Sequence, residues 1–198
     1  HGVIRISASG LNDRPANTDE IKVMTGLLEE SLEAGAFGLS TGLQYAPGLQ
    51  SDTAELVAVA APLALHGGIF TSHLRSYTST TLDKAIAEVA QIARENGIQG
   101  HISHIFSVPW TGPIHNLSLK VIKWLARHGE TAVKLLPQPL LDMEMNKILR
   151  QVETARRQGC RLTMDVMPTT AGFTHLLAFF PPWALTGTKE DVLKRATD

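Results

Sequence analysis

Glycine recurs along this chain about every 30 residues, and each time it follows a stretch with helical periodicity: Gly35, Gly67, Gly97, Gly129 and Gly159. Glycine just past a helix is the usual stop signal, because it enters the left-handed region without a Cβ penalty. About 30 residues is the size of one strand-plus-helix unit. This spacing constrains the fold more than any single motif.

The stretches before the glycines read as amphipathic helices. Residues 19–34 follow Thr18, a good N-cap, open with Asp19 and Glu20, and carry Ile21, Met24, Leu27, Leu28 and Leu32 at helical spacing. Residues 52–66 follow Ser51 and carry Leu56, Val59, Ala60 and Leu63. Residues 81–96 carry Leu82, Ala85, Ile86, Val89, Ile92 and Ala93. Residues 114–128 and 140–158 complete the set, with Pro137 and Pro139 breaking the chain between them. Short apolar runs at 3–8, 36–43, 68–74, 100–106 and 161–167 lie between the helices. Their length and flanking glycines predict strands buried on both faces.

The alternation predicts an α/β fold with a parallel sheet and right-handed crossovers. The first strand-to-helix turn has no G-x-G-x-x-G, and no G-x-x-x-x-G-K-[ST] occurs anywhere, which weighs against a nucleotide-binding open sheet. The alternative closed form, a (β/α)8 barrel, takes about 250 residues. With 198 residues and about five parallel strands, the expectation is an incomplete TIM-type barrel in one domain, 1–198, lacking the first and last strands. The chain opens His-Gly with no initiator Met, which predicts a processed or excised segment. Lys and Arg total 18 against 19 Asp and Glu, so the basic excess of a nucleic-acid binder is missing. No apolar run reaches the roughly 20 residues of a membrane helix. The single cysteine, Cys160, excludes an intrachain disulfide framework. With no signal-peptide pattern at the start, a reducing, cytoplasmic setting is expected.

Functional residues in such folds gather at the C-terminal ends of the strands. Two successive ends read Thr71-Ser72-His73 and Ile102-Ser103-His104. Neighbouring parallel strands lie about 4.8 Å apart, so His73 and His104 could share one metal ion. Neutral imidazole suits zinc, and catalytic zinc takes about three protein ligands, so a further ligand must come from elsewhere. A histidine at a strand end is more often a hydrogen-bonded rim residue, and it is the repetition that raises this pair above that. His101 should alternate to the face opposite His104. His66 and His128 fit helix C-terminal turns, where the dipole favours a cation. His115, His175 and His1 carry little signal. Cys160 precedes its strand and should be packing, and Asp165 could be a ligand or a proton carrier but reads first as a structural carboxylate bonded to backbone or Arg. Arg75 could clamp a substrate carboxylate or pair with a surface acid.

Residues 34–47 (AGAFGLSTGLQYAP), 69–75 (IFTSHLR), 102–104 (ISH) and 165–183 (DVMPTTAGFTHLLAFFPPW) occur in an order that resembles the N-acyl-D-amino-acid deacylase (D-aminoacylase) family of the metal-dependent amidohydrolase superfamily. The resemblance spans nearly the whole chain. It implies a zinc-dependent barrel hydrolase of amide (C–N) bonds in small-molecule N-acyl amino acids. It places the family's two single histidine ligands at His73 and His104 and a substrate-pocket tyrosine at Tyr45. Arg75 follows as a second substrate-binding candidate. The family's His-x-His pair, its early-strand cysteine or carboxylate ligand and its late catalytic Asp have no counterpart here, so no catalytic residue is expected within the segment. Phe106 stands where the family usually has Lys, and Met167-Pro168-Thr169 where it has Tyr-Pro-Tyr. Both changes favour a more apolar or different amide.

The isolated segment is therefore expected to be inactive. Two alternatives stay open. One is a metal-free barrel fragment acting in assembly or ligand binding, with two copies closing each other as a homo-oligomer or Phe179-Phe180-Pro181-Pro182-Trp183 acting as an adhesive patch. The other is a cyclic-amide hydrolase or deaminase of the same superfamily.

Overall fold

A computed structural model of the chain describes residues 1–78, 80–106, 127, 138–167, 182–185 and 187–197. Its helices are α1 (Gly2–Ser9), α2 (Thr18–Glu33), α3 (Thr53–Ala60), α4 (Leu63–His66), α5 (Leu82–Asn96), α6 (Gln138–Arg157) and α7 (Lys189–Thr197). Its strands are β1 (Gly38–Gly42), β2 (Ile69–His73), β3 (Gln99–Ile105) and β4 (Arg161–Val166). The predicted helix at 114–128, Gly129, His115, His128 and His175 lie outside the described residues, as does most of the 179–183 patch. Of that patch Trp183 is described and is exposed. No described helix is long and apolar enough to cross a membrane.

The helix boundaries follow local chemistry. α2 is capped by Asn17 rather than Thr18: Asn17 Oδ1 accepts the Asp19 and Glu20 N–H groups, and the Glu20 carboxylate accepts the Asn17 N–H at 2.8 Å. This reciprocal pair is a capping box. α4 and α5 end on Gly67 (φ 62°) and Gly97 (φ 65°), both left-handed, as the glycine spacing predicts. The stretch 52–66 is two helices, because Pro62 lacks the N–H that would continue the first.

The run at 3–8 is a correction: it is helix α1, not a strand. Its β-branched Val3 and Ile6 point to solvent. The buried residues are His1, Arg5 and Ser9, and Ile4 and Ala8 pack against the core, all at helical spacing. Polar residues occupy the buried face because Arg5 Nε donates to Glu55 Oε1 at 2.8 Å, an ion pair with both side chains out of solvent. An apolar period could not reveal a face whose anchor is a guanidinium.

Among the described residues there are thus four strands, not five. They form one parallel sheet in the order β1-β2-β3-β4. Consecutive strands are neighbours, with helices crossing over one face, and this is the topology of a barrel segment. The register aligns Leu39 with Phe70, Phe70 with Gly100, and Gly100 with Leu162. These residues face the helices, and the core is completed by Leu28, Leu56, Val59, Ile86, Val89, Ile92, Ile148 and Val152. Gly100 leaves room there, since a Cβ on it would lie 3.1 Å from both Ala93 Cβ and Leu162 Cδ1.

The strands are not buried on both faces as expected. The opposite face is a polar row, Ser40, Thr71, His101 and Thr163, aligned by the same register and partly or fully open to solvent. The glycine-flanked runs misled because their alternation is polar against apolar with hydroxyls on one side, a pattern that short length conceals.

Candidate metal centre

The register carries the polar row upward to the C-terminal edge, where Gly42 pairs with His73. On β3 simple alternation would separate His101 from His104. It does not, because the β3–β4 register shifts between Ile102 and Ile105 and His104 sits at φ 41°. Histidine is among the few non-glycine residues that tolerate this region. The irregularity frees the His104 backbone N–H, and Asp165 Oδ1 on β4 accepts it. Asp165 Oδ2 lies 3.5 Å from His101 Nε2, and His101 Nδ1 lies 2.9 Å from Thr163 Oγ1. His101 therefore stands on the same side as the pair, contrary to the alternation argument. The His104 N–H, followed by His101, holds the Asp165 carboxyl below the usual carboxylate range.

The result of this kink is a close imidazole pair. His73 Nδ1 lies 3.0 Å from His104 Nε2, with ring centroids 4.7 Å apart. Two imidazoles on a tetrahedral zinc at about 2.05 Å would hold their nitrogens about 3.3 Å apart, so the pair needs only a small opening. Burial, with His104 alongside, pushes His73 down to about 4. Its imidazole is thus neutral at neutral pH, the form that ligates metals.

Aromatic and amide groups enclose the pair. Gln44 Oε1 lies 3.0 Å from His73 Nε2, and the Tyr77 hydroxyl lies 3.2 Å from His104 Nδ1. The Tyr77 oxygen accepts the Leu74 N–H at 2.9 Å, and its ring stacks on Phe106 at 4.3 Å. Tyr45 stands beside His73, centroid to centroid 4.8 Å. Behind the strands, Thr41 Oγ1 donates to the buried Ser72 Oγ at 2.9 Å, tying the ends of β1 and β2.

Arg75 turns elsewhere. Its Nε and one terminal nitrogen contact the two Glu88 oxygens at 3.1 and 3.0 Å, and its other terminal nitrogen donates to the Leu49 carbonyl at 3.1 Å. It ties the end of β2 to α5 and to the turn after β1. Cys160 is buried just before β4, with Sγ 3.5 Å from the Ala90 carbonyl, and serves packing. His66 occupies the last turn of α4.

The sequence reading missed Tyr77 and understated Gln44. Gln44 sits in the strand-end segment already singled out, whereas Tyr77 lies in a loop with no periodicity to mark it. Among the described residues no group of three or more His, Cys, Asp or Glu is placed to hold a metal. The donor set among the described residues is two imidazoles, which fit zinc in chemistry and spacing but fall short of the about three protein ligands of a catalytic zinc.

A parallel sheet segment with a histidine pair at its C-terminal edge defines the class as an incomplete α/β barrel with a candidate metal centre. Known proteins make the assignment narrower. The chain is 36% identical over 104 residues to a D-aminoacylase of Alcaligenes xylosoxydans xylosoxydans, a match that covers 52% of this chain and 21% of that protein. A crystal structure of D-aminoacylase, described as defining a subset of amidohydrolases, superposes with a TM-score of 0.63 at 25% identity over 87% of this chain and 30% of the other. An N-acyl-D-glutamate deacylase from Bordetella bronchiseptica, solved with zinc and a phosphonate inhibitor, superposes with a TM-score of 0.59 at 26% identity over 85% of this chain and 29% of the other. No family model matches. The resemblance to the N-acyl-D-amino-acid deacylases is borne out, and the chain spans about a fifth of the D-aminoacylase relative's length. The sequence match covers half of the chain rather than nearly all of it.

Proposed function

We propose that this chain is the portion of a zinc-dependent, N-acyl-D-amino-acid deacylase-like amidohydrolase that presents two metal-binding imidazoles, His73 and His104, and one wall of the substrate pocket. The observation that carries the reading is the 3.0 Å approach of His73 Nδ1 to His104 Nε2 at the mouth of the sheet. A zinc ion held by such a site supplies Lewis acidity toward an amide carbonyl and lowers the pKa of a bound water.

The chain's own residues do the remaining work. His73 stays neutral and offers a lone pair. Asp165 fixes the backbone of His104 and so sets the aim of its ring. Tyr45, Tyr77 and Phe106 form an aromatic wall beside the pair, suited to an apolar part of an N-acyl amino acid. Tyr45 is the substrate contact in this reading, and Arg75 would have to leave Glu88 to reach a substrate carboxylate.

The test is an NMR titration of the zinc-loaded chain with N-acetyl-D-amino acids. Tyr45, His73 and His104 resonances should shift, more with D than with L isomers. No change at these three residues with any member of the set would overturn the reading. Amine release should stay negligible, because the segment brings no group assigned to proton transfer.

A further inference from the structure

We propose that Gln44 and Tyr77 are positioning residues that select the imidazole nitrogens facing the gap, Nδ1 of His73 and Nε2 of His104, and that the Tyr77 hydroxyl exchanges donor and acceptor roles when a cation enters. The proposal rests on the metal reading only for what the open nitrogens are for.

The hydrogen-bond inventory dictates it. Gln44 Oε1 can only accept, so His73 carries its proton on Nε2 and leaves Nδ1 bare toward His104. His104 Nε2, at 3.0 Å, then donates to that nitrogen, and its own Nδ1 is bare. The Tyr77 hydroxyl fills this vacancy by donating across 3.2 Å, while its oxygen accepts the Leu74 N–H. All four imidazole nitrogens and the Tyr77 hydroxyl then have a partner in the metal-free chain.

A divalent cation between the rings needs both gap nitrogens bare. His104 must then carry its proton on Nδ1. The count is unchanged, as Nε2 loses one proton and Nδ1 gains one. Nδ1–H now donates to the Tyr77 oxygen, and the hydroxyl proton turns to the Ser103 carbonyl, which lies 3.4 Å away. A carboxylate could only accept and a phenylalanine could do neither, so a phenol is suited to both states. Tyr77 is only 3% exposed, and that burial pushes its hydroxyl above the usual phenol range, which keeps the proton in place. Partners on the far nitrogen of a ligating histidine typically contribute about 10–100-fold to metal affinity.

The experiment is imidazole ¹⁵N NMR of the 198-residue chain, metal-free and then titrated with zinc alone. Metal-free protein should show Nε2–H tautomers at both His73 and His104. Gln44→Leu should mix the His73 tautomers, and Gln44→Glu, which keeps an acceptor, should restore one. Tyr77→Phe keeps the stack on Phe106 and should move the metal-free His104 Nδ1 signal to that of an unbonded nitrogen. In the zinc form Tyr77→Phe should speed exchange of the His104 Nδ1–H and weaken zinc about 10–100-fold. Unchanged melting temperatures would show that all three variants fold. A His73 Nδ1–H tautomer in the parent chain, or His104 Nδ1 signals identical with and without the Tyr77 hydroxyl, overturns the proposal. If zinc fails to bind while the metal-free signals behave as stated, the metal reading and the role exchange at Tyr77 fall, and only the tautomer selection by Gln44 and Tyr77 stands.

Discussion

Removing Glu55 should cost this fold a large share of its stability. The Glu55 carboxylate, 1% exposed, accepts from Arg5 Nε at 2.8 Å, from the Ala16 N–H at 2.7 Å and from His1 Nε2 at 3.2 Å. Arg5 is fully buried, and one of its terminal nitrogens already has no partner. After Glu55→Ala the guanidinium would keep only its bond to the Arg14 carbonyl. Stripping one member from a buried ion pair costs about 3–5 kcal/mol, because the other charge is left uncompensated. That is a fifth or more of a typical total of about 5–15 kcal/mol. At about 2–4 °C per kcal/mol for a chain of this size, the melting temperature should fall by roughly 10 °C. The double variant Arg5→Leu with Glu55→Leu should regain much of the loss, since the pair and not the volume is at stake. Urea unfolding of the single and double variants reads this directly. A loss below about 1 kcal/mol for Glu55→Ala would refute the reasoning. Acid should mimic the substitution. Burial raises the Glu55 pKa, but the hydrogen bonds from His1, Arg5 and Ala16 outweigh it and hold the carboxyl below 4.5. The unfolded chain therefore takes the proton first, and this contribution, present above pH 4.5, drains away as pH falls through the lower folded value.

Gly38→Ala should loosen the β1–β2 pairing by about 1–3 kcal/mol or more, because its Cβ would lie 2.0 Å from the Ile69 carbonyl oxygen, and amide exchange of β1 would report it. Ile102→Ala, at a fully buried position on β3, should cost about 2–5 kcal/mol in urea unfolding. His73 should titrate near 4 by NMR rather than near 6.5. Between those values the unfolded chain is protonated and the folded chain is not, so stability should drop by at most about 3 kcal/mol as pH falls from 6.5 to 4, and His73→Asn should flatten that slope.

The repeated helix-then-glycine spacing made the parallel sheet legible, because a left-handed helix stop is chemically written as glycine. The two Ser-His strand ends were legible for a similar reason: both close a strand, and register brought them to one edge. Three things were hidden. Helix α1 buries Arg5 and Ser9, so no apolar period marked it. The kink at His104 depends on an acceptor, Asp165, that is 61 residues away. Tyr77 acts from a loop whose path is set by the Leu74 N–H and by the ring of Phe106, neither of which a local pattern encodes.

The central claim, that His73 and His104 share one metal ion, is tested most directly by calorimetric zinc titration of the parent chain, His73→Ala and His104→Ala. The account predicts one zinc bound by the parent and lost in each variant. Equal zinc binding by all three, or none by the parent, would contradict it.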